Sequence, residues 1–300
     1  MKFIFLAISQ LLPFIFPIDV SHLKSYDKLS YTPMKRYSTR NSYRGLGPKF
    51  KISFYAFSRY FVLHLWSNND LFSSDFVALG NVKTLPRNML TGKILGDKLS
   101  RVNGYLKNGI FSGILHSEKD NLKYHVEQIT QKGEDNKFHS FIYRNMDVNN
   151  YPLISSYELH SPRMLDKTNF TSYKSTRSSS FTATNKICNV FIEVDSSYSD
   201  YYGGSTVGAY QAITRIAEAS YILQNTVVTF SQNIPEGFKI RVKAIRANSS
   251  TTKNPSMFTG SLLNVDDVML KFARLDFRDY CLAVIFFSKP FNDGVAGAAY

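Results

Sequence analysis

Histidine is scarce in this chain, and the six that occur, His22, His64, His116, His125, His139 and His160, are scattered through the first 160 residues. Zinc hydrolysis needs clustered imidazoles, most compactly as HExxH on one helical face, and that motif does not occur in the 300 residues. His125-Val126-Glu127 lies in a segment of strand period, where a second helical ligand has no place. Each histidine therefore reads as a surface or cross-strand residue. Nucleophilic catalysis fares no better, because no G-x-S-x-G elbow appears and the two cysteines, Cys188 and Cys281, suit a disulfide. Gly203-Gly204-Ser205-Thr206-Val207-Gly208 sits between a strand pattern and a helix pattern, like a phosphate loop. Ala209-Tyr210 then stand where such a loop needs Lys and Ser/Thr, which leaves a flexible helix entry. Glu134-Asp135 lies in a predicted turn as solvated surface. The chain's own residues complete no active site and require no cofactor.

The elements that would carry such residues come from composition and period. At 44% apolar and 20% charged the chain is globular, and its length suits about two domains. A net charge of +13 raises polyanions as partners, with Lys24, Lys28, Lys35, Arg36, Arg40, Arg44, Lys49 and Lys51 set against Asp27 alone. Met1-Lys2 followed by an apolar run from Phe3 to Phe16 fits a signal peptide over 1–21 and falls short of the ~20 residues of a membrane span. Behind a signal peptide the basic segment 22–49 reads as a solvated, irregular arm, and nucleic acid is not expected as a partner. The oxidising secretory route favours a Cys188–Cys281 bond.

From Phe50 the period is two. Ile52, Phe54 and Ala56, then Phe61, Leu63 and Leu65, predict a hairpin turning at Ser58-Arg59. Strands follow over 99–107, 110–117, 122–129 and 138–144, with Asn108-Gly109 as a strong hairpin signal. Residues 50–152 thus read as a helix-free antiparallel β domain. Residues 153–186 read as a linker, rich in Ser, Thr, Lys and Asn over 166–186, with a glycosylation sequon at Asn169 and a basic processing point at Lys174–Arg177. Residues 187–300 read as α/β. Strands are expected at Ile187–Glu193, Phe238–Ile245 and Tyr280–Phe287, with helices over 206–224 and 265–275, the second capped by Asn264.

The stretches CNVFIEVD from Cys188, DYYGGSTVGAYQAI, IRVKAIRANSS, DDVMLKF and DYCLAVIFFSKPFNDGVAGAAY resemble the first half of the catalytic domain of ADAM metalloproteases of the Kuzbanian (alpha-secretase) type. FKISFYAFSRYFVLHL, DLFSSDF, NGIFSGIL and KFHSFIYRNMDVNNYP resemble the prodomain of the same family. The resemblance implies an α+β chain: an antiparallel β-rich prodomain followed by an incomplete α/β zincin-like metalloprotease domain. It implies that Cys188 and Cys281 bridge the early sheet, that Asn248 is a second glycosylation site, and that Gly294, Val295, Ala296, Gly297, Ala298 and Ala299 begin the substrate edge strand. Zinc belongs to the full-length family and not to this chain, which lacks HExxHxxGxxH and a prodomain cysteine for a thiolate switch. We expect the N-terminal, truncated portion of a membrane-anchored sheddase acting on peptide or membrane-protein substrates, with its prodomain packed against its protease domain. We also expect one face of the half-domain's sheet to lack its covering helices. The alternative expectation is a secreted, non-catalytic short form that inhibits or helps to fold a full-length protease.

Overall fold

The computed structural model describes residues 20, 23–32, 50–80, 82, 85–129, 138–148, 187–225, 239–249 and 264–289. The first half runs through β1 (Asp27–Leu29), β2 (Phe50–Ala56), β3 (Arg59–Ser67), β4 (Phe72–Gly80), the short helix α1 (Leu85–Asn88), β5 (Met89–Ile94), β6 (Arg101–Lys107), β7 (Ile110–Ser117), β8 (Leu122–Gln128) and β9 (Ser140–Arg144). The second half runs through β10 (Ile187–Val194), α2 (Ser196–Tyr201), α3 (Ser205–Asn225), β11 (Lys239–Ala247), α4 (Val265–Ala273) and β12 (Leu282–Phe286).

Period-two alternation builds the first sheet, an antiparallel array in the order β1-β9-β8-β7-β6-β5-β3-β2. Phe50, Ile52 and Phe54 point inward beside Phe61, Leu63 and Leu65, while Tyr55, Tyr60 and His64 face water. The two end strands, β1 and β2, meet through side chains: Tyr31 packs on Phe54 at 6.2 Å between ring centroids, and its hydroxyl accepts the Phe111 N–H at 3.0 Å. The sheet therefore curls into a barrel-like wall around Leu29, Phe54, Phe61, Phe111 and Ile142. Gly104 lies opposite Gly113, and a Cβ there would stand 2.8 Å from the Gly113 Cα, so the curl requires glycine at this crossing.

The second sheet is parallel, in the order β12-β10-β11-β4. β10 is buried on both faces from Val190 to Val194, as a covered strand requires, whereas β11 alternates and leaves Lys239, Arg241, Lys243 and Arg246 half-buried. Val190, Ile192 and Val194 face α3, whose Ile213 and Ile216 share their core. Phe191, Ala244 and Ala283 face the other way, against Phe272 of α4 and Phe277. Both faces are thus covered, contrary to the bare face expected above. α3 lies between the two sheets, touching β10 and β11 on one side and β6 and β7 on the other.

The predicted helices stand at Ser205–Asn225 and Val265–Ala273, and the Asn264 side chain accepts the Asp267 N–H at 3.1 Å. The Asn108-Gly109 turn has φ of 54° and 80°, the left-handed pair that a two-residue hairpin needs. Three features differ from the sequence reading. The arm contributes β1, which is too short to show a period but buries Leu29 and pairs with β9. The region 50–152 is neither helix-free nor confined to one sheet: α1 interrupts it, and β4 leaves the barrel to pair in parallel with β11. The first hairpin turns at Phe57-Ser58, one residue earlier than expected, with φ of 49° and 57°.

Neither residue of that turn is glycine, so the conformation is imposed from outside. The Asp27 carboxylate accepts the Phe57 N–H at 2.5 Å, and the Arg144 guanidinium lies 4.8 Å from the Phe57 ring centroid. Replacing Ser58 by glycine relieves about 1–2 kcal/mol of left-handed strain against about 0.5–1 kcal/mol of added chain entropy. Ser58→Gly should raise the thermal midpoint and Ser58→Val should lower it in the same calorimetric comparison; a lower midpoint for glycine would show that the turn is unstrained.

Candidate functional site

Only two charges occur in α3, Arg215 and Glu218, and both are buried on the face turned to the barrel. Glu218 gathers donors from three barrel strands. Its Oε1 accepts the Asn103 amide at 2.9 Å; its Oε2 accepts Arg101 at 3.1 Å and meets the His116 Nε2 at 2.6 Å, with the Lys123 ammonium 3.7 Å away. Burial alone would push this carboxyl up. The His116 hydrogen bond and charge, with the charges of Arg101 and Lys123, outweigh burial and hold it well below the usual carboxylate range. The Arg101 guanidinium also covers the Tyr221 ring at 3.1 Å from its centroid, so one barrel residue grips α3 by ion pair and by ring.

Around Arg215 the contact continues. Burial pushes Glu127 up, and its Oε1 accepts the Tyr143 hydroxyl at 2.7 Å. His125 stacks on Tyr143 across the β8–β9 pair at 5.0 Å, and burial with the Arg215 charge drives its imidazole well down, towards the neutral form. At the start of α3, Tyr210 stacks on Tyr105 at 4.7 Å, the Asn88 amide donates to the Tyr210 hydroxyl at 2.6 Å, and Gln211 donates to the Tyr105 hydroxyl at 3.3 Å. The contact is polar and aromatic along its length, unlike the aliphatic face that α3 turns to the parallel sheet. It can hold two units together through charge and directional bonds, and it contains no group placed as a nucleophile.

The sequence-predicted sites fall elsewhere. Cys188 and Cys281 are bonded, with Cα atoms 5.5 Å apart, and tie β10 to the residue that precedes β12. A loop of 93 residues closed this way is worth about 4–5 kcal/mol on the chain-entropy estimate. Asn248 follows β11, and its amide donates to Glu193 Oε1 at 2.9 Å, while Arg246 binds Oε2 at 2.7 Å. Burial pushes Glu193 up to about 7 against the pull of Arg246 and Asn248. The signal peptide, Asn169, Lys174, Arg177 and the strand expected at Gly294–Ala299 lie outside the described residues, as does most of the basic arm. Among the described residues no group of three His, Cys, Asp or Glu could hold a metal, so a zinc site does not fit the donors present there. None of their helices is long and apolar enough to cross a membrane.

No family model matches the chain. Human disintegrin and metalloproteinase domain-containing protein 10 is 23% identical over 322 aligned residues, covering 93% of this chain and 41% of that protein. The rat and mouse proteins of the same name are 25% and 24% identical over 289 residues, covering 83% of this chain and 36% of theirs. The chain is similar to the N-terminal region of ADAM-type metalloproteinases. It spans about two fifths of the length of these relatives. In this ADAM-like chain the cluster around Glu218 escaped sequence reading, since its members are up to 117 residues apart. The one available signal was a pair of charges three residues apart in an otherwise uncharged helix.

The sign of the pH dependence follows from Glu218. Its depressed pKa stabilises the fold fully above the ordinary value of 4.5, and that support is lost as pH falls below it. Glu218→Gln leaves the half-buried Arg101 and Lys123 without their buried counter-charge and should cost about 2–3 kcal/mol at neutral pH. The variant's urea midpoint should also fall less steeply than the wild type's below pH ~4.5. Parallel acid profiles for the two proteins would remove Glu218 from the acid sensitivity.

Proposed function

We propose that this chain is the N-terminal portion of a zinc-dependent ADAM metalloendopeptidase that sheds ectodomains in the secretory pathway and at the cell surface. In this reading residues 50–152 form a latency and chaperone prodomain, and 187–300 form the first half of a zincin-like protease domain. Gly294–Ala299 contribute to the substrate groove, and Asn169 and Asn248 carry glycans. Zinc would be held by residues beyond those described, and peptide or membrane-protein substrates would meet the full-length protein. The observation that carries the reading is the barrel–α3 contact, together with the similarity on both sides of it. A prodomain that must hold and then leave needs an interface whose exposed remnants tolerate water, and a face of Glu, Arg, Tyr and Gln does so where an aliphatic face would not. Polar, charge-rich contacts also confer specificity of pairing.

Two measurements test the reading. The transcript should continue in frame from the Tyr300 codon into HExxHxxGxxH; a stop codon there would instead support the secreted, non-catalytic alternative. In the extended protein, Glu218→Lys places a fourth basic group among Arg101, His116 and Lys123, and should raise peptide hydrolysis severalfold before the prodomain is removed. Unchanged latency in a folded, secreted Glu218→Lys protein would mean that this contact does not restrain activity.

A further inference from the structure

β4 belongs to the barrel half by sequence and to the parallel sheet by pairing. It lies at the end of that sheet, joined to β11 alone, with Val77, Ala78, Leu79 and Gly80 opposite Ala244, Ile245, Arg246 and Ala247. Two apolar anchors at its start, Leu71 and Phe72, enter the core that α3 shares with the sheet. Two exposed ion pairs line it against β11: Asp70 with Lys239 at 3.6 Å and Asp75 with Lys243 at 3.4 Å. At its far end Gly80 has φ of +81°, and a Cβ there would stand 2.8 Å from the Ala247 carbonyl oxygen. Phe76 packs on Phe72 at 4.8 Å against the same core, and the pairing register breaks before Val77. Val77 and Leu79 remain 48% and 40% exposed, so the stretch Val77–Gly80 is held chiefly by main-chain pairing to one neighbour.

We infer that the edge of β11 is a docking site for an extended, acidic peptide strand, that β4 occupies it within the chain, and that the Asp70–Gly80 segment of a second copy binds there when the resident strand is released. Strand addition draws its affinity from main-chain hydrogen bonds and its selectivity from side chains at alternate positions. The charges divide accordingly: β11 presents Lys239, Arg241 and Lys243, and the occupant presents Asp70 and Asp75. Lysine along a bare edge also opposes indiscriminate pairing while it favours an acidic partner. The inference stands on the strand pairing and does not depend on the protease reading.

The test uses the full chain and a fluorescent peptide of residues 69–81. The wild-type chain, its edge occupied, should leave the peptide free at 100 µM on the order-of-magnitude scale of such assays. Gly80→Val, which clashes with Ala247, should release β4 and allow binding seen as a rise in anisotropy. Phe72→Ser, which removes an anchor, provides a second release should the first variant not be secreted folded. Changing Asp70 and Asp75 of the peptide to Lys should weaken binding roughly fivefold or more, and Lys239→Asp with Lys243→Asp in the released chain should restore it. A released chain that keeps its disulfide and the hydrogen-exchange protection of α3, yet leaves the peptide free, would overturn the inference. Equal binding of a scrambled peptide would do the same.

Discussion

A carboxylate removed from water must recover its hydration from fixed donors, and Glu218 does so by drawing on Arg101, Asn103, His116 and Lys123 together. Those four residues stand on β6, β7 and β8, so their convergence fixes how the barrel wall lies on α3. α3 in turn fills one face of the parallel sheet through Ile213 and Ile216. The placement of the two sheets follows from one helix that is polar towards one and aliphatic towards the other. An aliphatic contact lacks directional bonds, whereas a buried carboxylate with three hydrogen-bonded partners and a nearby ammonium fixes one register.

Supports further out make the arrangement consistent. The Cys188–Cys281 bond links β10 to the residue that precedes β12 in the parallel sheet, and the Cys281 N–H donates to Asn189 O at 2.9 Å beside it. Glu193 is a second buried carboxylate with a different balance, since burial dominates there and raises it to about 7. Its contribution has the opposite sign to that of Glu218. A raised carboxylate pKa disfavours the fold increasingly as pH climbs from about 4.5 towards 7, where the group ionises while buried. Two acids of one type thus read the same physics in two ways, according to how many cations face them.

Local signals in the sequence were sufficient wherever the structure is local. Asn108-Gly109 specifies its own turn, Asn264 caps its own helix, and the alternation from Phe50 to Leu65 specifies both strands of the first hairpin. The hairpin turn itself was misplaced by one residue, because Asp27 and Arg144 stabilise Phe57 and Ser58 from distant parts of the chain. β4 was unreadable for a similar reason: its parallel partner lies about 170 residues away, and nothing in FSSDFVALG states which sheet it will join. The site suffered most. Arg101, His116 and Lys123 look like ordinary surface charges along their strands, and only the position of Glu218 on a buried helix makes them a cluster.

The most direct measurement is a double-mutant cycle between the two halves, with Glu218→Ala, Arg101→Ala and the pair, each unfolded in urea at neutral pH. If Glu218 and its donors fix the barrel on α3, the two losses will not add, and the coupling will reach at least about 1 kcal/mol, within the range for contacting charged groups. Losses that add to within about 0.3–0.5 kcal/mol would mean that the two residues act independently and that something else sets the placement of the two sheets.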